Sequence, residues 1–255
     1  MTQVPAATRT LQVLRFLAAQ PDPVPLDRVA AALGLPRSTA YHLVNAMIEQ
    51  GFVTHLAEER RYCLGVAAFE VGIGYARQAP LQRIAHRPLA RLVDRVGQSA
   101  HLVVPHGRDV LYVLEERAPG RSPLVTDVGV RLPAHLTASG RAILAALPES
   151  QVRALYPDRD AFVDRHGRGP QSLSALRAVL GETRRRGYAE EDGEVTPGFA
   201  SVAVAVLDPN GTPLAGIAAT YDSREEVDLP ALVAAVSTTA RSVTKRLGGA
   251  LPLNE

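Results

Sequence analysis

Between residues 36 and 51 the sequence PRSTAYHLVNAMIEQG sets Ala40, Leu43, Val44 and Met47 at helical spacing and leaves Ser38, Tyr41, His42 and Asn45 on the other side. Arg37 and Thr39 join that polar row at its start. Guanidinium, hydroxyl, imidazole and carboxamide groups in one row are the donors and acceptors that bond phosphate oxygens and base edges. The same pattern also describes a plainly solvated helix face, and three helices with a hairpin also build dimerisation and protein-binding modules.

A second chemical signal lies at LTASGRAILAAL, where Thr137 precedes a helical run from Ser139 to Leu147. Threonine is a good N-cap, and the backbone N–H groups of such a helix start attract an anion such as a carboxylate. An ordinary capped helix start has the same sequence. Further on, Glu190, Glu191, Asp192 and Glu194 crowd a short stretch whose composition reads as a solvated acidic turn. Ser139, His101, His135 and Glu191 supply the residue types of a Ser-His-acid triad, but there is no G-x-S-x-G elbow, and Thr137-Ala138-Ser139-Gly140 does not replace one. No catalytic residue is assigned. His101, His106 and His135 lack metal-ligand spacing, and no Walker or dinucleotide glycine loop occurs, so neither a metal nor another cofactor is expected.

The elements that must position these groups follow from periodicity. Leu11, Leu14, Leu17 and Ala18 predict a helix from Thr8 to Ala19, ended by Pro21-Asp22-Pro23; Leu26, Val29, Ala30 and Leu33 predict a second, stopped at Gly34. Pro36 suits the first position of the third helix, which runs to Gln50 with Gly51 as its stop. Phe52–His55 and Tyr62–Leu64 then read as strands joined by the tip Glu58-Glu59-Arg60-Arg61. Helix, turn, helix, hairpin is a winged helix, whose third helix enters the major groove while its wing, with Arg60 and Arg61, reaches flanking phosphates. Gly65–Arg77, with Val66, Phe69, Val71 and Ile73, reads as a linker helix softened by glycines at 65, 72 and 74.

Beyond residue 80 helical and strand signals mix in an α+β order. A helix at Leu81–Val96 precedes strands His101–Val104 and Val110–Glu115; helices at Ser139–Leu147, Glu149–Tyr156 and Leu173–Gly187 precede strands Val202–Leu207 and Leu214–Thr220; Leu229–Leu247 closes the chain as a helix. A length of 255 residues suits two domains, and 46% hydrophobic with 21% charged residues suits compact globules. Net charge is only +2, and residues 1 to 66 carry six arginines against five acids, so bulk charge does not announce a nucleic-acid binder. No run approaches the ~18 apolar residues of a membrane span, the start lacks a secretory pattern, and Cys63 is alone; a cytoplasmic protein without membrane partners is expected.

Over nearly the whole chain these residues resemble the IclR family of bacterial regulators. The likeness lies in LDRVAAALGLPRSTAYHLVNAMIEQGFV followed by YCLG, in LPAHLTASGRAILAAL, and in GYAEEDGEVTPGFASVAVAVLDPNGTPLAGIA. It implies a winged helix-turn-helix DNA-binding domain over 1–64, a linker helix over 65–78 and a GAF-like antiparallel-sheet effector-binding domain over 79–255, an α+β chain that is not an enzyme. It carries over Arg37, Ser38, Thr39, Tyr41 and His42 as DNA-facing, with histidine where the family often has arginine. It also carries over Ala138, Ser139, Glu191, Ser201 and Thr220 as effector-binding; Ala218 stands where some members have serine. Expected partners are double-stranded operator DNA, a small aromatic or other organic acid, and further copies of the chain as a homodimer or a dimer of dimers, with repression the expected mode.

Overall fold

The computed structural model describes residues 4–78, 80–121 and 126–249 and divides into two units between Ala79 and Pro80. In the first unit α1 (Pro5–Ala18), α2 (Leu26–Ala32) and α3 (Arg37–Glu49) precede β1 (Val53–Leu56), β2 (Arg61–Leu64) and α4 (Val66–Gln78). Val13, Leu17, Leu26, Val29, Ala40, Val44, Met47, Val53 and Tyr62 form its core. Helix α1 starts at Pro5, three residues before the expected Thr8, because a proline in the first turn has no N–H to leave unpaired. Its buried face is also rotated from the expected one: Val13 and Leu17 are inside and Leu11 is 60% exposed. Pro36 caps α3 from outside the helix instead of opening it, and its carbonyl accepts from the Ala40 N–H at 3.0 Å.

The wing differs from expectation at its tip. Arg61 is a strand residue paired with Leu56, so the turn is residues 57–60, and Arg60 takes a left-handed backbone with φ of 54°. Val24 exchanges both backbone hydrogen bonds with Tyr62, at 3.0 and 2.8 Å, so the stretch after α1 extends the wing by one bridge. Gly65 is not a softening residue. A Cβ there would stand 2.2 Å from the Gly51 carbonyl oxygen, so glycine is what lets α4 start against the end of α3. Around Gly72 there is open space, while the side chains of residues 73–78, including Ile73, lie outside the described residues.

The second unit contains α5 (Pro80–Val96), β3 (Ser99–His106), β4 (Asp109–Glu116), β5 (Arg131–Pro133), α6 (Ala138–Ala146), α7 (Glu149–Leu155), α8 (Leu173–Arg186), β6 (Ala189–Asp192), β7 (Phe199–Leu207), β8 (Pro213–Asp222) and α9 (Leu229–Arg246). The sheet order is β5-β4-β3-β8-β7-β6, antiparallel throughout. Strand alternation divides the core. Ala100, Leu102, Val202, Val206, Ala215, Ile217 and Ala219 face α5 and α9, while Val103, Val110, Tyr112, Ala203 and Ala218 face α6 and its neighbours. With both sheet faces covered, β7 and β8 read as almost unbroken apolar runs.

Sequence periodicity misses β5 and β6. Three residues ending in proline, and the acidic stretch Ala189-Glu190-Glu191-Asp192, are poor strand formers, but both strands lie at sheet edges, where proline and charge are tolerated. Among the described residues no helix is long and apolar enough to cross a membrane.

Candidate functional site

In the first unit α3 presents Arg37, Ser38, Tyr41 and His42 outward, with Thr39 and Asn45 half-buried beside them, because Ala40, Val44 and Met47 occupy the core on the other side. Tyr41 and His42 meet edge to face with ring centroids 5.9 Å apart. Arg37 pairs through Nε with Asp27 of α2 at 3.0 Å, both side chains being largely exposed, so little energy holds that guanidinium back from another anion. Arg60 is exposed at the wing tip. Arg61 is committed elsewhere, since its guanidinium donates to the Pro23 carbonyl at 2.9 Å and ties the wing to the α1–α2 connection.

In the second unit the register of the sheet builds the floor of a pocket. One row across it runs Glu191, Ser201, Thr220, Ser99, and the next runs Ala189, Ala203, Ala218, His101, Glu115. A bulge in the β3–β4 pairing inserts Val113, so Tyr112 and Glu115, three apart, flank Val103 and His101, two apart. Over this floor lies the start of α6. Thr137 accepts from the Gly140 N–H at 3.0 Å and its carbonyl from the Arg141 N–H at 2.9 Å, leaving the Ala138 and Ser139 N–H groups without a protein partner among the described residues. Close approach is possible because residues 140 and 216 are glycine: a Cβ at 140 would lie 2.3 Å from the Ala134 carbonyl oxygen, and one at 216 would lie 2.8 Å from the Ser139 carbonyl oxygen.

The pocket between them is lined by polar groups from six elements and by Thr126, Val195 and Phe199. It holds about 390 Å³ of space free of protein atoms, part of it open to solvent, and has room for about one water. A larger guest must displace lining side chains. Wider grooves exist. The one beside Tyr156, Arg159 and Phe162 spends its polar groups on local structure: Asp158 holds the Ala161 N–H, and Ser172 caps α8.

Glu191 is the chemical centre of the pocket. It is 5% exposed, not part of a solvated turn as its composition suggests, because alternation along β6 turns it inward while Glu190 and Asp192 point outward. Its Oε1 accepts from the Ser201 hydroxyl at 2.9 Å, Ser201 lies 2.9 Å from the Thr220 hydroxyl, and Oε2 is buried with no hydrogen-bond partner among the described residues. Burial raises its pKa from 4.5 to about 7, opposed by the Ser201 hydrogen bond and reinforced by the Glu194 charge. Tyr112 is raised as well, by burial first and then by Glu191, with Ser139 opposing. His101 Nε2 lies 2.9 Å from the Thr126 hydroxyl and 3.8 Å from Glu115, which it holds down at about 2. His135 packs instead against Tyr156 and Phe162 with Nε2 on the Val163 carbonyl, and His101, in the same pocket as Ser139 and Glu191, makes no hydrogen bond to either among the described residues.

The structure thus brings Ala138, Ser139, Glu191, Ser201 and Thr220 around one cavity. Sequence reasoning misses Tyr112, Thr126 and the place of His101 in the pocket wall; alternation along β3 was the signal that could have found the last. It also misses Arg141, 4% exposed on α6, which donates to the His135 carbonyl (2.9 Å), the Glu190 carbonyl (2.7 Å) and Glu194 (2.8 Å). That buried guanidinium fixes β6, and with it Glu191, against the start of α6.

Comparison with known proteins bears on both units. The family described as "IclR helix-turn-helix domain" matches residues 6–57, and "Bacterial transcriptional regulator IclR C-terminal" matches residues 73–245. The chain is similar to the glycerol operon regulatory protein of Streptomyces coelicolor, at 34% identity over 94% of this chain and 95% of that one. It is also similar to the acetate operon repressor of Salmonella typhimurium, at 30% over 97% and 91%. A solved IclR homolog from Microbacterium hydrocarbonoxydans, complexed with 4-hydroxybenzoate, shares the fold with a TM-score of 0.82, covering 95% of this chain and 99% of that one, at 20% identity.

Proposed function

The chain belongs to the IclR family of bacterial transcriptional regulators, and from that premise we propose that it is a cytoplasmic repressor that binds operator DNA through α3 and releases or tightens it when an organic acid fills the pocket under α6. The observation that carries the effector half is the buried Glu191 with a free Oε2 opposite two unpaired N–H groups at the start of α6. An organic acid suits both ends. Its carboxylate takes the Ala138 and Ser139 N–H groups, where the helix dipole favours negative charge, and a hydroxyl or a second polar group meets Glu191, Ser201 and Thr220. Ala218 leaves an apolar wall where a ring or alkyl body rests. The Microbacterium homolog crystallised with 4-hydroxybenzoate has this combination of groups in its ligand.

On DNA, Arg37, Ser38, Thr39, Tyr41, His42 and Asn45 form the reading face, with Arg60 on the wing and Arg61 bracing it. One winged helix makes few base contacts, so two copies on a pseudo-palindrome are expected. Leu11 on α1 and Val66, Phe69 and Val71 on α4 are each at least 60% exposed, an apolar surface that suits the homodimer contact, and pairs of dimers complete the assembly. Because the pocket has room for about one water, an effector binds by moving its lining, which gives it different affinities for two settings of the domains; that difference, ordinarily ~1 to 3 kcal/mol, is all it has to shift DNA affinity.

Two titrations test the proposal. Fluorescence anisotropy on duplex from the chain's own upstream region is expected to show tight binding that scrambled duplex lacks and that salt weakens steeply. Calorimetry with a panel of aromatic and aliphatic acids, 4-hydroxybenzoate among them, is expected to give heat with at least one; silence across the panel removes the organic-acid reading.

A further inference from the structure

Helix α5 carries Arg83, Arg87, Arg91 and Arg95, one every four residues, and all four are exposed. At 1.5 Å per residue the row is about 18 Å long. The opposite face is committed, since Ala85, Leu89, Leu92 and Val93 lie in the core against the sheet and α9. The ion pair that α5 makes among the described residues is His86 with Glu116 at 3.2 Å, and none of the four arginines has a carboxylate within that reach, Asp94 of the same helix included. Three like-charge pairs at i,i+4 work against the helix. In a chain of net charge +2 this is a local concentration of cations with no ion-pair partner among the described residues.

No described helix of a second copy presents a matching row, because each carries at most one acidic residue. Duplex DNA does, presenting about one negative charge per 1.7 Å of axis. In sequence α5 starts two positions after α4 of the DNA-binding unit ends. We infer that the arginine row of α5 is a second, sequence-independent DNA contact through which the effector domain itself grips the phosphate backbone flanking the operator half-site. It adds affinity and salt dependence without adding base preference.

This rests on the chain being a DNA-binding regulator, and the test separates the two. In the full-length protein Arg83, Arg87, Arg91 and Arg95 are all changed to Gln, with an all-Lys counterpart, and anisotropy is titrated against salt on upstream and scrambled duplexes. The slope of log affinity on log salt is expected to become shallower by about 0.9 for each phosphate no longer neutralised, up to about 3.6 per subunit, equally on both duplexes. The preference for upstream duplex persists, and the Lys variant keeps the wild-type slope. Far-UV circular dichroism checks that the Gln variant is folded, as the substitutions touch only the exposed face. An unchanged slope overturns the inference and makes the row a solvated face; a changed slope accompanied by dissociation in sedimentation overturns it in favour of a subunit contact. Absence of upstream preference in the wild type overturns the operator reading instead, and the row is still measured on scrambled duplex.

Discussion

Replacing Glu191 by Gln removes the ionisation of a buried carboxyl while keeping its shape and most of its hydrogen bonding, so the consequence is legible in the pH dependence of stability. In the folded chain the pKa is raised from 4.5 to about 7, chiefly by burial. Between those values the native carboxyl keeps a proton that the unfolded chain has already lost, so wild-type stability falls by about 1.4 kcal/mol for each pH step of one. The contribution is complete below 4.5 and gone above about 7, and the gap is worth about 3 kcal/mol in all. Other titrating groups, His135 among them, are shared by both proteins and cancel in the difference. Urea unfolding followed by circular dichroism, suited to a chain without tryptophan, is therefore expected to show wild type losing about 3 kcal/mol relative to Glu191→Gln between pH 4.5 and 8. A difference that stays level across that range refutes the reasoning, since it means that water or a cation reaches Oε2. The same sign governs the pocket: a carboxylate effector beside Glu191 binds more tightly as pH falls through about 7, where the carboxyl is neutral and donates.

Arg37→Ala is expected to weaken binding to upstream duplex by about 1 to 3 kcal/mol in anisotropy, the worth of a bidentate guanine contact, with little change in melting temperature because its pair with Asp27 is exposed. Arg141→Met leaves Glu194 and two carbonyls without their buried cation and is expected to cost about 3 to 5 kcal/mol in urea unfolding; a cost below about 1 kcal/mol shows that water replaces the guanidinium. Gly216→Ala drives a methyl toward the Ser139 carbonyl oxygen, so a loss of about 1 to 3 kcal/mol and a larger proportional loss of effector heat in calorimetry are expected, as α6 is pushed off β8.

The helices that carry and support the polar row of α3 were legible because each is an amphipathic repeat closed by proline or glycine, signals contained within a few residues. So were the long strands of the sheet and the capped start of α6, down to Thr137. Errors occur where a boundary depends on something distant. Leu11 scores as a core residue by spacing, but the helices packed on α1 select Val13. Arg61 looks like a wing-tip cation until the Val24–Tyr62 bridge brings the Pro23 carbonyl to it.

The pocket divides in the same way. Residue types around position 138 announce a capped helix start, and the family resemblance points to Glu191, Ser201 and Thr220, but local composition makes Glu191 one of four acids in a solvated turn. Pairing β6 onto β7 turns it inward, next to Ser201, and Arg141, 49 residues before Glu190, locks that strand in place. By itself the sequence determined the two-part α+β plan, the polar row on the third helix and the capped start of the sixth, since periodicity and capping are properties of contiguous residues. Which carboxylate is buried, which arginines are spent on carbonyls and which are left bare along α5 was decided only by tertiary structure, because burial and charge partners are set by strand register and helix packing between residues far apart in the chain.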